Sequence, residues 1–503
     1  MLNISGATCD LESLVYLPLL EETGYLPSGR FPPAAEILQH VERIAKKWNL
    51  TRNALFHTGI TSASWDESIR RWHVRTDWSD HIIAQYVVLG LGTFHAPKLP
   101  GIPGIETFER PHFHSGRWNF EVTGGDNSGN MTKLADKTVG VIGTGCSGVQ
   151  IVPQLARDAK KLYVFQRTPT TIQAREIWKT DPELAKSLKP GWQRALMRQF
   201  ANIFQGDDTS NQTVTATEGF DDMLMQTIVQ EGRAAGVTEI KPDEIGELVQ
   251  LADLRVMERI RKNIEETVVD KNTAEKLKPW YNFFCKRPAF NSEYLTSFNR
   301  PNVELIDTDG KGVSRLTKTG VVANDVEHEV DVLVYATGFD FEVGYGFYRR
   351  TGIHVTGTQG QTPDQAWDEA GGPSTLFGIH QRGFPNFFTI GPVQGGVGAN
   401  WTQTGYVAGE HIAEVISSLT KEGKYEVIEP TAEAEDEWGK QFEEGADARL
   451  KFSEACTPGY NNKEGKPEEI PGRWGFYPKG IVAWETLMRE WRQDGHWKGM
   501  ERR

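Results

Sequence analysis

Residues 138–150 read TVGVIGTGCSGVQ, an apolar strand pattern that runs into a GxGxxG turn and then into a helix. In such a turn Gly143 allows a tight reversal, Gly145 lets the backbone approach a pyrophosphate, and Gly148 lets the helix pack closely on the strand. The pyrophosphate then lies at the helix N-terminus, where free N–H groups point toward it. A second strand pattern follows the helix at residues 161–166. The stretch therefore predicts a dinucleotide-binding α/β domain.

The end of that second strand indicates which dinucleotide binds. A domain that uses NAD usually has Asp or Glu there, which holds the ribose 2′-hydroxyl. Here the strand runs into Arg167 and Thr168, so a guanidinium stands where the carboxylate would be. A guanidinium presents a planar fork that matches a 2′-phosphate. The alternative is a solvated strand-end arginine, but the missing acid together with the added base favours NADPH.

Composition limits the class of protein. A chain of 503 residues is long enough for two or more domains, and 38% hydrophobic with 24% charged residues is typical of a soluble globular protein. The net charge is −13, without a run of Lys and Arg, so we expect no nucleic-acid partner. No apolar run reaches the roughly 18 residues of a membrane span. The four cysteines are scattered, which fits a reducing compartment and predicts no metal site. We expect a cytoplasmic location because the sequence shows no targeting or anchoring segment.

Two similar strand patterns indicate how the domains are arranged along the chain. Residues 82–92 read IIAQYVVLGLG, and residues 330–339 read VDVLVYATGF. An apolar run that closes on glycine is typical of a buried parallel strand whose carboxyl end meets a ligand. We therefore expect the chain to leave one domain near Gly92 and to return to it near Gly338. The predicted limits are 1–125 for the first part of that domain, 126–330 for the nucleotide domain with a helical insert at about 174–280, and 331–503 for the second part and the C-terminal tail.

Several further stretches point to one family. They are ATCDLES at 7–13, YLPLLEETGY at 16–25, FQRTP at 165–169, CKRP at 285–288, ATGFD at 336–340 and CTPGY at 456–460. Together they resemble the Baeyer–Villiger monooxygenases, particularly the fungal members, along nearly the whole chain. The family fingerprint is matched at Phe108, His114 and Trp118, whereas its glycine and its last residue are replaced by Arg110 and Asn119.

The resemblance implies a fold and a reaction. The fold is α/β, with two Rossmann-like dinucleotide-binding domains and a helical insertion. FAD and NADPH are the implied cofactors, and one oxygen atom of O₂ enters next to the carbonyl of a small-molecule ketone, giving an ester or lactone. The cofactors carry the hard chemistry, and the protein supplies electrostatics and excludes water. Fungal secondary metabolism is the implied setting.

The resemblance also implies roles for individual residues. Arg287 corresponds to the catalytic arginine, whose charge is permanent because a guanidinium does not deprotonate at working pH. Asp10 corresponds to the acid that pairs with it and also lies at the flavin. Other FAD contacts are implied for Tyr16, Ile60 and Gly338. NADPH contacts are implied for Thr144, Gly145, Cys146, Ser147, Gly148, Val149, Gln150, Arg167, Thr168 and Lys286.

The sequence contains one strand-GxGxxG-helix pattern, whereas the family has an earlier one that grips FAD before the position of Asp10. We expect, on this basis, a flavin domain that is incomplete at its N-terminus. Three interpretations remain open: a shortened version of an active enzyme, a non-redox pseudoenzyme or binding protein that does not hold FAD, and a flavoprotein that oxygenates nitrogen or sulfur. The presence of Asp10 and Arg287 favours the first. Neither the natural substrate nor the oligomeric state is indicated by the sequence.

Overall fold

A computed structural model of the chain describes residues 7–9, 11–92, 94, 96–174, 179–181, 183–204, 245–340 and 351–503. Contacts between residues group them into two units. Unit 1 takes its described residues from Met1–Trp48, Pro97–Leu196 and Gly206–Phe339. Unit 2 takes them from Asn49–Ala96, Met197–Gln205 and Asp340–Arg503.

A five-stranded parallel sheet forms the centre of unit 1. Its strand order is Val303–Asp307, Lys161–Gln166, Thr138–Ile142, Val332–Tyr335, His112–His114. The predicted strand at 138–142 and the strand at 161–166 are confirmed as neighbours, with Val141 beside Val164. The strand predicted within 330–339 pairs with the other side of 138–142, where Val334 lies beside Val141. The carboxyl ends of these parallel strands therefore meet at one edge, the usual place for a ligand in such sheets.

Apolar side chains bury both faces of this sheet. Val139 and Val141 of the central strand are fully buried, as are Leu333 and Val334 of its neighbour. Strands covered on both faces read as continuous apolar runs, as these two strands do. The core on one face also includes the helix Cys146–Asp158 and part of the long helix Ile245–Thr267.

The other elements of unit 1 lie outside this central sheet. They comprise the helices Ser13–Tyr16, Leu20–Thr23, Ala34–Lys47, Phe120–Thr123, Leu184–Ser187, Lys271–Leu277 and Tyr294–Ser297, the antiparallel strands Arg315–Leu316, Gly320–Ala323 and Val326–Glu329, and the parallel pair Ile172–Gln173 and Ala289–Phe290. The 3₁₀ turns are Ile105–Thr107, Ser115–Arg117, Thr132–Leu134 and Phe283–Cys285. The helix Trp192–Phe204 is divided between the units after Leu196.

Unit 2 is built from small sheets and longer helices. Its four-stranded sheet has the order His354–Thr356, Ile60–Asp66, Arg71–Thr76, His81–Ala84. Two strand pairs accompany it, Val87–Leu89 with Phe387–Thr389 in parallel and Ile428–Pro430 with Met500–Arg502 antiparallel. Its helices are Pro363–Glu369, Trp401–Glu422, Ala432–Glu443, Ala446–Glu454 and Gly480–Asp494, and its 3₁₀ turns are Leu50–Asn53, Thr358–Gly360, Tyr460–Asn462 and Pro467–Glu469.

Every helix among the described residues is too short or too polar to cross a bilayer.

Candidate functional site

The GxGxxG turn has the geometry of a phosphate cradle. The helix Cys146–Asp158 begins directly after Gly145, and no side chain caps its first N–H groups. Gly143 has φ of +109°, a region that favours glycine. A methyl group at Gly143 would collide with the carbonyl oxygen of Ala336, and one at Gly148 would collide with that of Gly143. A methyl group at Gly145 would meet nothing within 4 Å, so this glycine leaves the mouth of the turn open.

Ser147 and Val149, two further predicted NADPH contacts, lie on this helix and differ in burial. Ser147 is half-buried, whereas Val149 is buried in the core behind the turn. Thr144 lies before the helix, where its hydroxyl donates to the carbonyl oxygen of Thr168 at 3.0 Å. This hydrogen bond ties the turn to the end of the neighbouring strand.

Arg167 is exposed at that strand end, as a residue that meets a ligand phosphate would be. Its carbonyl oxygen accepts from the backbone N–H of Gly310 at 2.9 Å, so its backbone is fixed while its side chain faces solvent. Its neighbour Gln166 is fully buried and donates through Nε2 to the carbonyl oxygen of Lys276 at 2.7 Å and to Asp307 Oδ1 at 3.0 Å. These hydrogen bonds hold the end of the strand in place, while the guanidinium of Arg167 is exposed.

The side chain of Arg287 contacts the first turn of the helix Cys146–Asp158, which is called the cradle helix below. Its Nη1 donates to the Sγ of Cys146 at 3.2 Å, although 141 residues separate the two along the chain. Arg287 is exposed and Cys146 is half-buried, and the Cys146 thiol is free. The predicted catalytic arginine and the predicted dinucleotide turn are thus brought into contact within unit 1.

The segment that carries Arg287 is anchored by a buried tyrosine. The hydroxyl of Tyr281 donates to the carbonyl oxygen of Pro169 at 2.8 Å, and burial raises the pKa of this phenol. The Nζ of Lys286 lies 5.7 Å from the centre of the same ring, within range of a cation–π contact. Since Tyr281 is buried while Arg287 is exposed, the anchor fixes the backbone and leaves the guanidinium accessible.

Asp10 lies outside the described residues, but the segment just before it is in place. The backbone N–H of Thr8 donates to Oε1 of Gln150 at 3.1 Å, and Nε2 of Gln150 donates to the carbonyl oxygen of Cys146 at 3.2 Å. Residues four apart on a helix share one face. One face of the cradle helix therefore contacts both the Arg287 side chain and the segment that leads to Asp10.

The fingerprint residues support the turn at the end of the strand Val332–Tyr335. His114 donates through Nε2 to the carbonyl oxygen of Gly338 at 2.7 Å and accepts through Nδ1 from the N–H of Gly116 at 3.1 Å. Burial is the main cause that lowers the pKa of His114, which favours the neutral ring that this arrangement needs. Phe108 is buried in the core, where its ring stacks on His112.

Trp118, the third fingerprint residue, is also a core residue of unit 1. Its indole N–H donates to the hydroxyl of Thr123 at 3.1 Å, and its ring packs edge-on against Phe113. The indole is 7% exposed and belongs to the main apolar core of unit 1.

The predicted FAD contacts fall in separate parts of the fold. Tyr16 ends a short helix of unit 1 and is half-buried, and Gly338 has φ of +78° in the turn held by His114. Ile60 begins the first strand of unit 2 and is exposed. Tyr16 and Gly338 belong to unit 1 and Ile60 belongs to unit 2, so a shared FAD site for the three stays a prediction.

Several contacts that hold the fold together gave no signal in the sequence. Gln150 and Tyr281 hold the two segments described above, and both act on partners more than 100 residues away. In unit 2, Nε2 of His380 lies 3.0 Å from Nε2 of His411 in the core, and Nη1 of Arg492 lies 3.0 Å from Nδ1 of His411. Only the fold brings these side chains together. Among the described residues, no group of three or more His, Cys, Asp or Glu side chains could hold a metal ion.

Curated proteins include relatives that match nearly the whole of this chain, although no family model matches the sequence. Ketocytochalasin monooxygenase from Aspergillus clavatus is 58% identical over 499 residues, which cover 99% of this chain and 78% of the relative. Baeyer-Villiger monooxygenase peniC from Penicillium patulum is 55% identical over 504 residues, covering 99% and 81%.

Solved structures show the same likeness. A polycyclic ketone monooxygenase from Thermothelomyces thermophila superposes with a TM-score of 0.90 at 36% identity and covers 100% of this chain and 82% of its own. OTEMO, solved in complex with FAD and NADP, superposes with a TM-score of 0.77 at 26% identity, covering 100% and 92%.

Fold, cradle and relatives together define the class as a ketone monooxygenase with two Rossmann-like dinucleotide-binding domains. The chain belongs to the Baeyer–Villiger monooxygenase family. It is a flavin-dependent enzyme of the fungal type that inserts one oxygen atom of O₂ next to a ketone carbonyl, and its cofactors are FAD and NADPH.

The described residues fit one of these cofactors directly. The open mouth at Gly145, the uncapped helix N-terminus and the exposed guanidinium of Arg167 suit the pyrophosphate and 2′-phosphate of NADPH. The described residues contain one strand-GxGxxG-helix element, which is this one. A second element of this type, which would bind the pyrophosphate of FAD, is absent from the described residues.

Proposed function

We propose that this protein oxidises a ring-containing ketone of fungal secondary metabolism to an ester or lactone, with Arg287 as its catalytic cation. The observation that carries the proposal is the 3.2 Å contact between Nη1 of Arg287 and Sγ of Cys146. It places the guanidinium beside the turn that suits NADPH. When bound, FAD supplies the activation of O₂. The chain's own residues bind, orient and stabilise charge.

The role of Arg287 follows from the charge that the reaction creates. Oxygen transfer to a carbonyl develops negative charge on oxygen, and a preorganised donor at such a position contributes about 2.7–4 kcal/mol to lowering the barrier. Arg287 suits this task because its charge is permanent and its side chain is exposed. Pro288 and Tyr281 are both buried, so the backbone on either side of it is held.

Asp10 is the proposed partner that orients Arg287. Support comes from Thr8, whose N–H is held by Gln150 on the helix that Arg287 contacts. The pairing itself is what the family resemblance implies, and an ion pair with Asp10 would restrict the rotamers of the long arginine side chain.

Arg167 is the proposed determinant of NADPH use. It stands at the end of the strand Lys161–Gln166, where an acid would hold the ribose of NADH, and its side chain faces solvent beside Gly312. Thr168 and Lys286 complete the proposed positive and polar rim of the site. A cytoplasmic location belongs to the proposal as well, because the NADPH pool is intracellular, and fractionation of the producing cells tests it.

The substrate class rests on the relatives' names. One relative is named for ketocytochalasin and one solved structure for polycyclic ketones, so large cyclic ketones are the first substrates to test. The relatives are named for ketone oxidation, which favours this reaction over oxygenation of nitrogen or sulfur and over a non-redox binding role.

Single-turnover kinetics of the full chain supplied with FAD test the proposal. Under ¹⁸O₂ the product should gain one ¹⁸O atom. In Arg287→Ala the rate of flavin reduction by NADPH should stay within about threefold of wild type, whereas the rate of ester formation should fall at least 100-fold. A 100-fold loss corresponds to about 2.7 kcal/mol in the barrier. Arg300→Ala is the matched control, since Arg300 is an exposed arginine of the same unit. Ester formation at the normal rate in Arg287→Ala would overturn the role.

A further inference from the structure

A second exposed cation stands beside Arg167 at the edge of the central sheet of unit 1. The strand Val303–Asp307 runs parallel to Lys161–Gln166, so the loops that follow these two strands leave the sheet at the same edge. One loop begins with Arg167, and the other is the turn 308–312, which reads TDGKG and carries Lys311. Both side chains are exposed. Lys311 is outside the set of NADPH contacts that the family resemblance implies.

The turn is fastened to Arg167 on both sides of Lys311. The backbone N–H of Gly310 donates to the carbonyl oxygen of Arg167 at 2.9 Å. A methyl group built on Gly312 would lie 3.8 Å from Cδ of Arg167, so the aliphatic part of the arginine packs on this glycine. Lys311 is the residue between these two glycines, and consecutive Cα atoms are about 3.8 Å apart. Its backbone is therefore held next to Arg167 from both sides.

The turn holds its shape through its own backbone and one threonine. The N–H and the hydroxyl of Thr308 both donate to the carbonyl oxygen of Gln166, at 2.9 and 2.8 Å. Lys311 N–H donates to the carbonyl oxygen of Thr308 at 3.0 Å, and Gly312 N–H donates to its hydroxyl at 2.8 Å. Because these N–H groups are used within the fold, the side chain of Lys311 is the cationic group that the turn offers to an anion. A methyl group on Gly310 would meet nothing within 4 Å, so the space beside the turn is open.

The charges around the turn give Lys311 a specific task. Asp307 ends the strand, where its Oδ1 accepts from Nε2 of Gln166 at 3.0 Å, and Asp309 is exposed on the turn itself. Without Lys311 this loop would bring only negative charge to the strand end at which the 2′-phosphate is expected. A phosphate group presents three strong acceptor oxygens, so two cations can share it.

We propose that Lys311 is a second cation for the 2′-phosphate of NADPH and contributes to the preference for NADPH over NADH. This inference rests on the proposed role of Arg167 in cofactor choice and adds a binding residue to the same site. A guanidinium is a planar fork that fixes the orientation of a phosphate, whereas an ammonium group is a compact point charge on a flexible stem. Arg167 therefore orients the phosphate, and Lys311 adds an attraction that depends on ionic strength.

Calorimetric titration of the full chain with NADP⁺ and NAD⁺ tests this role without turnover. At an ionic strength of about 0.01 M, Lys311→Gln should weaken NADP⁺ about three- to fivefold, the upper range for an exposed ion pair, and leave NAD⁺ unchanged. At about 0.15 M the loss should shrink, because the range of the charge falls from about 30 Å to about 8 Å. Lys311→Arg should keep the affinity for NADP⁺. Asp309→Asn should act in the opposite direction and strengthen NADP⁺ alone.

Lys160→Gln is the matched control. Lys160 is an exposed lysine that directly precedes the strand Lys161–Gln166, so it lies at the opposite end of the strand from Arg167. It removes the same charge from the same unit without changing the proposed site. Equal weakening of NADP⁺ and NAD⁺ in Lys311→Gln, or a loss no larger than in Lys160→Gln, would overturn the inference.

The outcomes also separate this inference from the proposed function. A selective loss of NADP⁺ in Arg167→Ala but not in Lys311→Gln refutes the second cation and leaves the role of Arg167 intact. If neither variant loses NADP⁺ selectively, both assignments to the 2′-phosphate fail. The catalytic role of Arg287 is measured separately by ester formation, so it does not depend on either result.

Discussion

The imidazole Nε2 of His114 donates to the carbonyl oxygen of Gly338 at 2.7 Å, across 224 residues of sequence. That carbonyl also accepts from the backbone N–H of Lys98 at 3.0 Å. The turn it belongs to includes Ala336, whose carbonyl oxygen leaves no room for a side chain at Gly143. The fingerprint histidine thus braces the turn against which the dinucleotide cradle is packed.

Replacement of His114 should therefore loosen the cradle without removing any group that touches NADPH. We expect His114→Ala to lower the free energy of unfolding by about 1–3 kcal/mol, because two hydrogen bonds of about 0.5–1.5 kcal/mol each are lost, and to weaken NADP⁺ binding. Urea unfolding and calorimetric titration measure the two effects. His114→Gln, whose amide nitrogen stands in for Nε2, should recover much of both, and equal losses in the two variants would argue against a donor role.

Two glycines of the cradle should respond differently to the same methyl group. At Gly145 the added carbon meets nothing within 4 Å and φ is −75°, so Gly145→Ala should fold normally but hinder the approach of the pyrophosphate. At Gly148 the added carbon collides with the carbonyl oxygen of Gly143, so Gly148→Ala should be destabilised. Thermal unfolding and NADP⁺ Kd, measured together, check this; a Gly145→Ala protein with unchanged affinity would contradict the cradle.

Arg167→Ala should change the choice of nicotinamide cofactor. Loss of a charged hydrogen bond to the 2′-phosphate costs about 1.5–3 kcal/mol, so NADPH should bind roughly 10- to 150-fold more weakly while NADH is little affected. Steady-state KM values and Kd titrations with both cofactors measure it. Arg157→Ala provides the control, since Arg157 lies near the other end of the cradle helix and pairs with Glu293. Equal losses for NADPH and NADH would exclude a 2′-phosphate contact.

The buried pair His380 and His411 should make unit 2 sensitive to acid. Burial lowers the pKa of His380 to about 3, and burial, His380 and Arg492 lower that of His411 well below its usual value. Unfolded histidine titrates near pH 6.5, so below that pH the unfolded state binds more protons, and the stability contributed by the pair is lost as pH falls. Each histidine that stays neutral in the folded state adds up to about 1.4 kcal/mol per pH unit to the fall in the free energy of unfolding.

This slope can be isolated experimentally. Glu435 acts in the opposite direction, because burial raises its pKa to about 7 and the folded state then keeps a proton that the unfolded state releases. The comparison of wild type with His411→Gln cancels that effect. Between pH 6 and pH 4.5 the free energy of unfolding should fall more steeply in wild type than in His411→Gln, with exposed His496→Gln as the control. Parallel slopes would show that the pair is not held neutral.

The parts of the fold that were predicted correctly depend on local pattern. The strand at 138–142, the glycine turn and the strand at 161–166 follow one another directly, and each glycine has a steric reason to be there. Nearby residues constrain one another regardless of the rest of the chain, so such patterns survive without tertiary information.

The contacts that organise the site could not be predicted in this way. His114 with Gly338, Arg287 with Cys146 and Thr8 with Gln150 are each more than 140 residues apart. Their partners are backbone atoms or a thiol, which leave no recognisable pattern in the sequence. Arg287 was identified from the family resemblance, whereas its contact with Cys146 is visible only in the structure. The roles assigned to individual residues remain predictions for the experiments above.

The hydrogen bond between Thr8 and Gln150 has a consequence for engineering. Exposed stretches of chain tolerate cuts and insertions best, so a chimera that exchanges the nucleotide-binding segment would be cut there. In this protein such a cut would separate residues 138–150 from residues 7–9 and 281–288, which are built around the same helix. Recombination should therefore transfer all three segments as one block, and a swap of the glycine turn alone should yield an enzyme that consumes NADPH wastefully.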